Sequence, residues 1–436
     1  MTTDRRARVT VSAVAVAVLT VALAGPVAAH TPSSSPAKKK PAPTTPAPPP
    51  IPGSITATGK DAPVATLNVA VPYSAFSVQI APEVTGPPYG LNAAGFNRVW
   101  DDACAWRDIE TAPGVYDWTN LDARVSQNEA SGLQTLYVLG LTPPWIASTG
   151  DGDPRYGAGT AAVPADMNAY STFVSAVAGR YGNRIAAYEV WNEANLKTFW
   201  VGTPEQMADM TARAYTAVKG ANPNAKVFAA STTTRLPNSI KKFTVPYYVA
   251  LKNAGWPVDG FAIHAYPSGV SSPVERYQGV LGWRQALMSV AGNDPAVLNK
   301  EVWDTEVNYG LAGPGATPKT DFSGAQGAGY IARTYLDSVR LGITSTFWYL
   351  YGAAPFSLLG IQMTPNTPET LNGYNTIMSW IGGATYLGTT TINGVHESRF
   401  SRDGKAFTLL SADTEGVPYT SNGPVITVGI NPIKVG

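Results

Sequence analysis

The sequence predicts an α/β chain whose main body is a (β/α)8 barrel with a small C-terminal β-sheet extension. Three observations carry that reading. Eight short apolar runs recur along the chain, at residues 74–80, 96–100, 134–140, 185–192, 226–231, 258–266, 302–308 and 345–351. Several are continuous rather than alternating, as strands covered on both faces by helices must be. Segments of helical period separate them, at 120–129, 167–177, 205–219, 272–290 and 326–340. In the second of these, Met167, Tyr170, Phe173, Val174 and Val177 fall on one helical face, after Pro164 and before Gly182 and Asn183. Strands alternating regularly with helices close into a parallel barrel, and such a barrel presents its chemistry at the C-terminal ends of the strands.

Composition narrows the class. The 436 residues are 44% hydrophobic, enough for a large self-sufficient core, and the net charge of +1 gives no reason to expect nucleic-acid binding. Only 14% of residues are charged, while aromatic residues, Gly and Pro are plentiful. That mix fits a rigid extracellular protein with aromatic-lined grooves. Cys104 is the only cysteine, so an exported monomer has no internal disulfide, and the residue is expected to be a buried small hydrophobe.

The N-terminus has the pattern of an export signal. Arg5, Arg6 and Arg8 precede an apolar stretch at 9–24, and Val27, Ala28 and Ala29 supply small residues for cleavage after Ala29. Residues 30–53, mostly Pro, Ala, Thr, Ser and Lys, cannot bury enough apolar surface to fold and are expected to form a tether that allows association with the cell envelope. The barrel is then expected over 54–384. Short alternating strands at 397–401, 406–411 and 425–428, joined by 65–71, are expected to form the extension over 385–436.

Polar residues stand at the strand ends where a barrel built for stability alone would place branched apolar ones. Arg98 lies in the second run, Asn192 and Glu193 end the fourth, His264 and Tyr266 end the sixth, Glu306 ends the seventh, and Trp348 is in the eighth. A closed barrel brings Glu193 and Glu306 together across one opening. Paired carboxylates there are the apparatus of glycoside hydrolysis, with a separation of roughly 5–5.5 Å for the route through a covalent intermediate. Glu189 and Asp304 share strand parity with them and are expected to lie deeper as supporting groups. His30, His264 and His396 are too scattered to make a metal cluster, Gly324–Gly329 has its glycines in the wrong order for a dinucleotide site, and no cofactor is called for.

The segment Tyr188-Glu189-Val190-Trp191-Asn192-Glu193-Ala194-Asn195 resembles the strand-4 signature of clan A glycoside hydrolases, and His264-Ala265-Tyr266 and Asp304-Thr305-Glu306 resemble that clan's strand-6 and strand-7 motifs. Leu141-Thr142-Pro143-Pro144-Trp145, the stretch from Asp108 to Trp118, and Trp200 are similar to family 39 hydrolases and related bacterial exopolysaccharide hydrolases. The resemblance implies a retaining glycoside hydrolase with Glu193 as acid/base and Glu306 as nucleophile. Tyr266 and Arg98 are then placed to hold the nucleophile, Asn192 to grip the sugar 2-hydroxyl and His264 to shape the site; Trp348 is expected to be a sugar platform, and Trp145 and Trp200 either platforms or core. The same residues also suit a transglycosylase, or a glycan-binding protein that has lost turnover. Sugar identity and the choice between internal and terminal cleavage are not legible in the sequence.

Overall fold

A computed structural model describes residues 68–435 apart from 93–94, 268–271, 313–318 and 421–422. The expected signal peptide and tether therefore lie outside the described residues, as do 65–67 of the expected N-terminal strand and the middle of the Gly/Pro-rich loop at 309–324.

Eight parallel strands close into a barrel: β1 (Phe76–Ile80), β2 (Phe96–Val99), β3 (Gln134–Val138), β4 (Ala187–Glu189), β5 (Lys226–Thr233), β6 (Gly260–His264), β7 (Glu301–Val307) and β8 (Ser345–Tyr351). Each predicted run overlaps one of them; β5 runs on to Thr233 and β7 starts one residue early, at Glu301. Inside the barrel, Phe96, Leu136, Ala187, Phe228, Ala262, Trp303 and Phe347 form one apolar layer, with the Phe228 and Trp303 rings 4.1 Å apart. That layer has room at β6 for hydrogen only, because a Cβ on Gly260 would sit 2.4 Å from the Phe228 ring.

The helices pack outside. The main ones are α1 (Thr119–Ala130), α2 (Met167–Tyr181), α3 (Pro204–Ala221), α4 (Val245–Asn253), α5 (Pro273–Ala291), α6 (Gly324–Arg340) and α7 (Pro368–Ile381). Their starts follow local chemistry. Asp166 accepts from the Asn168 amide at 2.8 Å ahead of α2, and Thr203 and Gln206 cap each other's backbone ahead of α3, where Pro204 fills the first position. Tyr170, Phe173, Val174 and Val177 of α2 are fully buried in the largest apolar cluster, between helices and barrel. Helices α4 and α7 are additions to the predicted helical segments. In α4, Tyr247, Tyr248 and Leu251 are all fully buried.

After α7 the chain builds an antiparallel sheet from β9 (Thr385–Ile392), β10 (Val395–Arg402) and β11 (Lys405–Ala412). The short strands Val69–Ala70 and Ile433–Val435 lie at its two edges. β9 is an addition to the predicted strands. The sheet is fixed to the barrel by Arg333 of α6, buried, which donates to the carbonyls of Ala412 (2.7 Å) and Ile430 (3.2 Å) and pairs with Asp413 (3.0 Å) and Asp337 (2.9 Å). Cys104 is buried, as expected, with burial pushing its thiol pKa upward.

Candidate active site

The C-terminal ends of β2, β4, β6 and β7 converge on one charged cluster, and Arg98 is its centre. This fully buried guanidinium uses every donor it has. Nε and Nη2 clasp Glu189 at 3.0 and 2.8 Å, Nη1 reaches Gln79 at 3.1 Å and Glu306 at 2.5 Å, and Nη2 also reaches Asn192 at 2.7 Å. Burial alone would lower the Arg98 pKa, but the charges of Glu189 and Glu306 outweigh it and hold the cation above its ordinary value. Among the described residues the ion pairs of Arg98 are with Glu189 and Glu306 and not with Asp101 or Asp102, its near neighbours in sequence.

Glu306 also accepts from the Tyr266 hydroxyl at 2.8 Å. Glu193 and Glu306 both approach Nδ1 of His264, at 3.2 and 3.4 Å. Their nearest oxygens therefore cannot be farther apart than those two distances laid end to end. Nε2 of the same ring lies 3.8 Å from Glu189. None of these contacts is aligned as a hydrogen bond, so His264 acts on the three carboxylates chiefly as a charge. Burial works against charging the ring, but Glu306, Glu189 and Glu193 together lift its pKa to about 9. For Glu189 burial likewise opposes charge, yet Arg98 and His264 bring its pKa down to about 2.

Burial works upward on both members of the facing pair. For Glu306 burial dominates, reinforced by Glu193 and opposed by His264 and Arg98, and the carboxyl rises. For Glu193 the contact with His264 and the charges of Arg235 and Arg98 outweigh burial, and the carboxyl falls. Directed bonds run against that ordering: Glu306 accepts aligned hydrogen bonds from Arg98 and Tyr266, which favour its ionised form, and among the described residues none is donated to the side chain of Glu193.

Backbone geometry presents Glu193. Its φ of 41° is left-handed, which a Cβ-bearing residue adopts only where neighbours enforce it. Ser231 of β5 does so, its Oγ accepting from the Glu193 amide at 3.0 Å and its carbonyl from the Ala194 amide at 3.0 Å.

Four expectations are corrected or settled. Trp348 is fully buried, packed outside the barrel toward Tyr309, so it cannot be a sugar platform. Its neighbour Tyr349 faces the cleft instead, its hydroxyl 3.0 Å from Asp101. Trp200, 1% exposed, belongs to the core against Trp191. Trp145 is half-buried away from the cleft, its indole nitrogen donating to the Glu110 carbonyl at 2.9 Å. Asp304 does not share the parity of Glu306, because a register shift separates them; it turns outward to Arg276 of α5 at 2.6 Å and to the Ala265 amide at 3.0 Å.

The cleft over the pair has a volume of about 260 Å3 and is walled by Trp100, Asp101, Tyr156, Arg235, Tyr349 and Phe356. Of these, sequence reasoning found none. Asp101 accepts from Tyr156 (2.6 Å), Tyr349 (3.0 Å) and Gln79 (3.3 Å), leaving a carboxylate braced for sugar hydroxyls. Its signal was its position just past β2, directly after Trp100. A larger cavity, about 760 Å3, opens around the strand N-termini, where Phe96, Lys226, Glu301 and Trp303 line it and no facing carboxylate pair stands. Among the described residues no group of His, Cys, Asp and Glu has the arrangement to hold a metal ion.

A closed parallel barrel with facing glutamates after β4 and β7, an Asn before the first and a Tyr bonded to the second, defines the clan A type of glycoside hydrolase architecture. The chain matches the model of glycosyl hydrolases family 39 over residues 93–350, more than half its length, and belongs to that family. It is 29% identical over 188 residues to a β-xylosidase of Geobacillus stearothermophilus, a match covering 40% of this chain and 36% of the relative. The fold is similar to that of a family 39 glycoside hydrolase from Bacteroides cellulosilyticus WH2, with a TM-score of 0.59 at 17% identity, covering 83% of this chain and 80% of that one. A family 39 β-xylosidase from Caulobacter crescentus gives 0.54 at 16% identity, over 80% and 79%.

Proposed function

We propose that this protein is a retaining glycoside hydrolase that acts outside the cell on a polysaccharide or oligosaccharide. The observation that carries the reading is the convergence of Glu193 and Glu306 on one atom of His264, at 3.2 and 3.4 Å, over a cleft of sugar dimensions. The bound those distances set includes the roughly 5–5.5 Å of direct attack by a carboxylate and reaches only the lower edge of the roughly 6.5–9.5 Å arrangement that admits a water between acid and base.

In this mechanism Glu306 attacks the anomeric carbon, held ionised by Arg98 and Tyr266 until the attack discharges it. Glu193 donates its proton to the leaving oxygen as the bond breaks, then takes one from the water that releases the glycosyl-enzyme. Asn192, anchored by Arg98 through its carbonyl oxygen, has its amide free to meet the sugar 2-hydroxyl. The relatives named as β-xylosidases favour a pentose among the sugars to be tried first. Glu306→Ala should lower kcat at least about a thousandfold on an activated aryl glycoside. Azide should then restore release of the aryl group and give a glycosyl azide of inverted anomeric configuration. Near-normal turnover by Glu306→Ala would place the nucleophile elsewhere.

The signal-like N-terminus supports export, with the catalytic body released or tethered through residues 30–53. Mature protein recovered from the medium or envelope should begin at His30, and an unprocessed chain confined to the cytoplasm would refute export.

A further inference from the structure

Arg235 is a cleft residue that the catalytic roles above leave unused. It follows β5 and stacks on the Tyr266 ring, 5.5 Å from guanidinium carbon to ring centroid. Its Nη1 is buried with no hydrogen-bond partner, and no carboxylate among the described residues forms an ion pair with it. The other cleft cations are committed: Arg98 to Glu189 and Glu306, and Arg155 to Asp153 through two bonds of 2.9 and 3.0 Å. A guanidinium stacked over an aromatic ring, lining a cleft and with a buried nitrogen that has no acceptor, is a preorganised receptor for a planar anion.

Its position says which part of a substrate it meets. Glu193, the proposed acid, touches the leaving oxygen. Arg235 is among the charges acting on Glu193, whereas those acting most on Glu306 come from His264, Arg98, Glu193 and Asp101. Asn195, two residues past Glu193, bonds the Thr233 backbone through both its side-chain atoms, at 3.0 and 3.3 Å, and Ser239 donates to the Asn195 carbonyl at 2.6 Å. The loop that carries the acid and the loop that carries Arg235 therefore form one wall. Beyond it a groove of about 500 Å3 runs between these loops, lined by Asn195, Lys197, Trp200, Asn238 and Lys242 and by no acidic residue. Arg235 shares its cleft with Glu193 and Glu306, whereas Lys197 and Lys242 line the groove beyond it with no acidic residue beside them, so positive charge prevails on the far side of that wall.

We propose that the leaving-group side of the cleft binds a sugar carrying a carboxylate, with Arg235 clasping that carboxylate and the substrate therefore a uronic-acid-containing glycan. This rests on the glycosidase reading only for the direction of the chain; the binding claim stands apart from turnover. A bidentate guanidinium–carboxylate pair in a partly closed site is strong enough to change affinity about tenfold or more, and the lysine groove adds a salt-sensitive attraction.

The test is calorimetric binding to full-length Glu306→Ala protein, which cannot turn the ligand over. The probes are aldouronic acid oligosaccharides from glucuronoxylan and the same oligosaccharides after chemical reduction of their carboxyls to alcohols. The acidic set should bind at least about tenfold more tightly, and the preference should shrink as salt rises. Adding Arg235→Met should abolish the preference, and Arg235→Lys should keep part of it. Equal affinity for the two sets would overturn the proposal without needing any variant at position 235, as would an acid preference that survives Arg235→Met. Aryl-glycoside turnover by the wild-type protein is scored separately, so absence of hydrolysis counts against the glycosidase reading alone.

Discussion

At the scale of single residues, the site is organised as alternating charges. Two cations, Arg98 and His264, are set among three carboxylates, Glu189, Glu193 and Glu306. The His264 pKa lies above its ordinary value, at about 9, so its charge stabilises the fold fully below the ordinary value near 6.5. That contribution is lost as pH rises through about 9. The melting temperature of the wild type should therefore fall between pH 7 and 10, and His264→Gln, less stable at pH 7, should show a flatter profile over that window. A profile as steep in the variant as in the parent would assign the loss to another group. These contacts explain why residue types were legible and residue directions were not. Glu193, Asn192, His264, Tyr266 and Glu306 announce themselves as polar side chains at the ends of apolar runs. Tyr349 and Trp348 are both aromatic on the same strand, and strand parity alone favours neither. Register shifts beside Asp304 and Tyr349 then break the count from one end of the strand to the other.

At the scale of elements, the barrel strands were readable because each is an apolar run bounded by polar residues, and five of the helices because they fill the stretches between those runs. Elements outside that logic were missed. β9 carries Gly388 and a run of threonines, and its pairing with β10 and with Val69–Ala70 makes it a strand. The junction between the two layers depends on Arg333, which crosses from α6 to the final sheet and is 1% exposed. Arg333→Ala would leave the buried Asp337 with Arg340 as its remaining cation and the carbonyls of Ala412 and Ile430 without this donor. We expect urea denaturation to show a loss of about 3–5 kcal/mol, and limited proteolysis to cut first within residues 385–436. A loss below about 1 kcal/mol would mean that apolar packing alone holds the sheet.

At the scale of the whole molecule, the division of labour is between the two ends of the barrel. The aromatic layer of Phe96, Phe228, Trp303 and Phe347 fills the lower interior, and the charged cluster occupies the level above it. Closure makes this possible: residues remote in sequence, such as Arg98 and Glu306, meet at 2.5 Å because β7 and β2 are separated by only two strands around the ring. The sequence could predict that meeting from strand order. It could not predict the cleft wall, because Tyr156, Arg235 and Phe356 arrive on loops whose paths follow tertiary contacts rather than periodicity.

The left-handed backbone at Glu193 has an evolutionary side. With the proposed acid held where Asn or Gly would sit more comfortably, facing another carboxylate, inactivation is energetically downhill. Glu193→Asn should melt at or above the wild-type temperature while losing general acid catalysis; a lower melting point would show that the carboxylate contributes more to folding than its backbone strain removes. One substitution would thus turn a hydrolase into a sturdier lectin with the same cleft, so a lineage that stopped needing turnover would drift toward glycan capture without passing through an unstable intermediate.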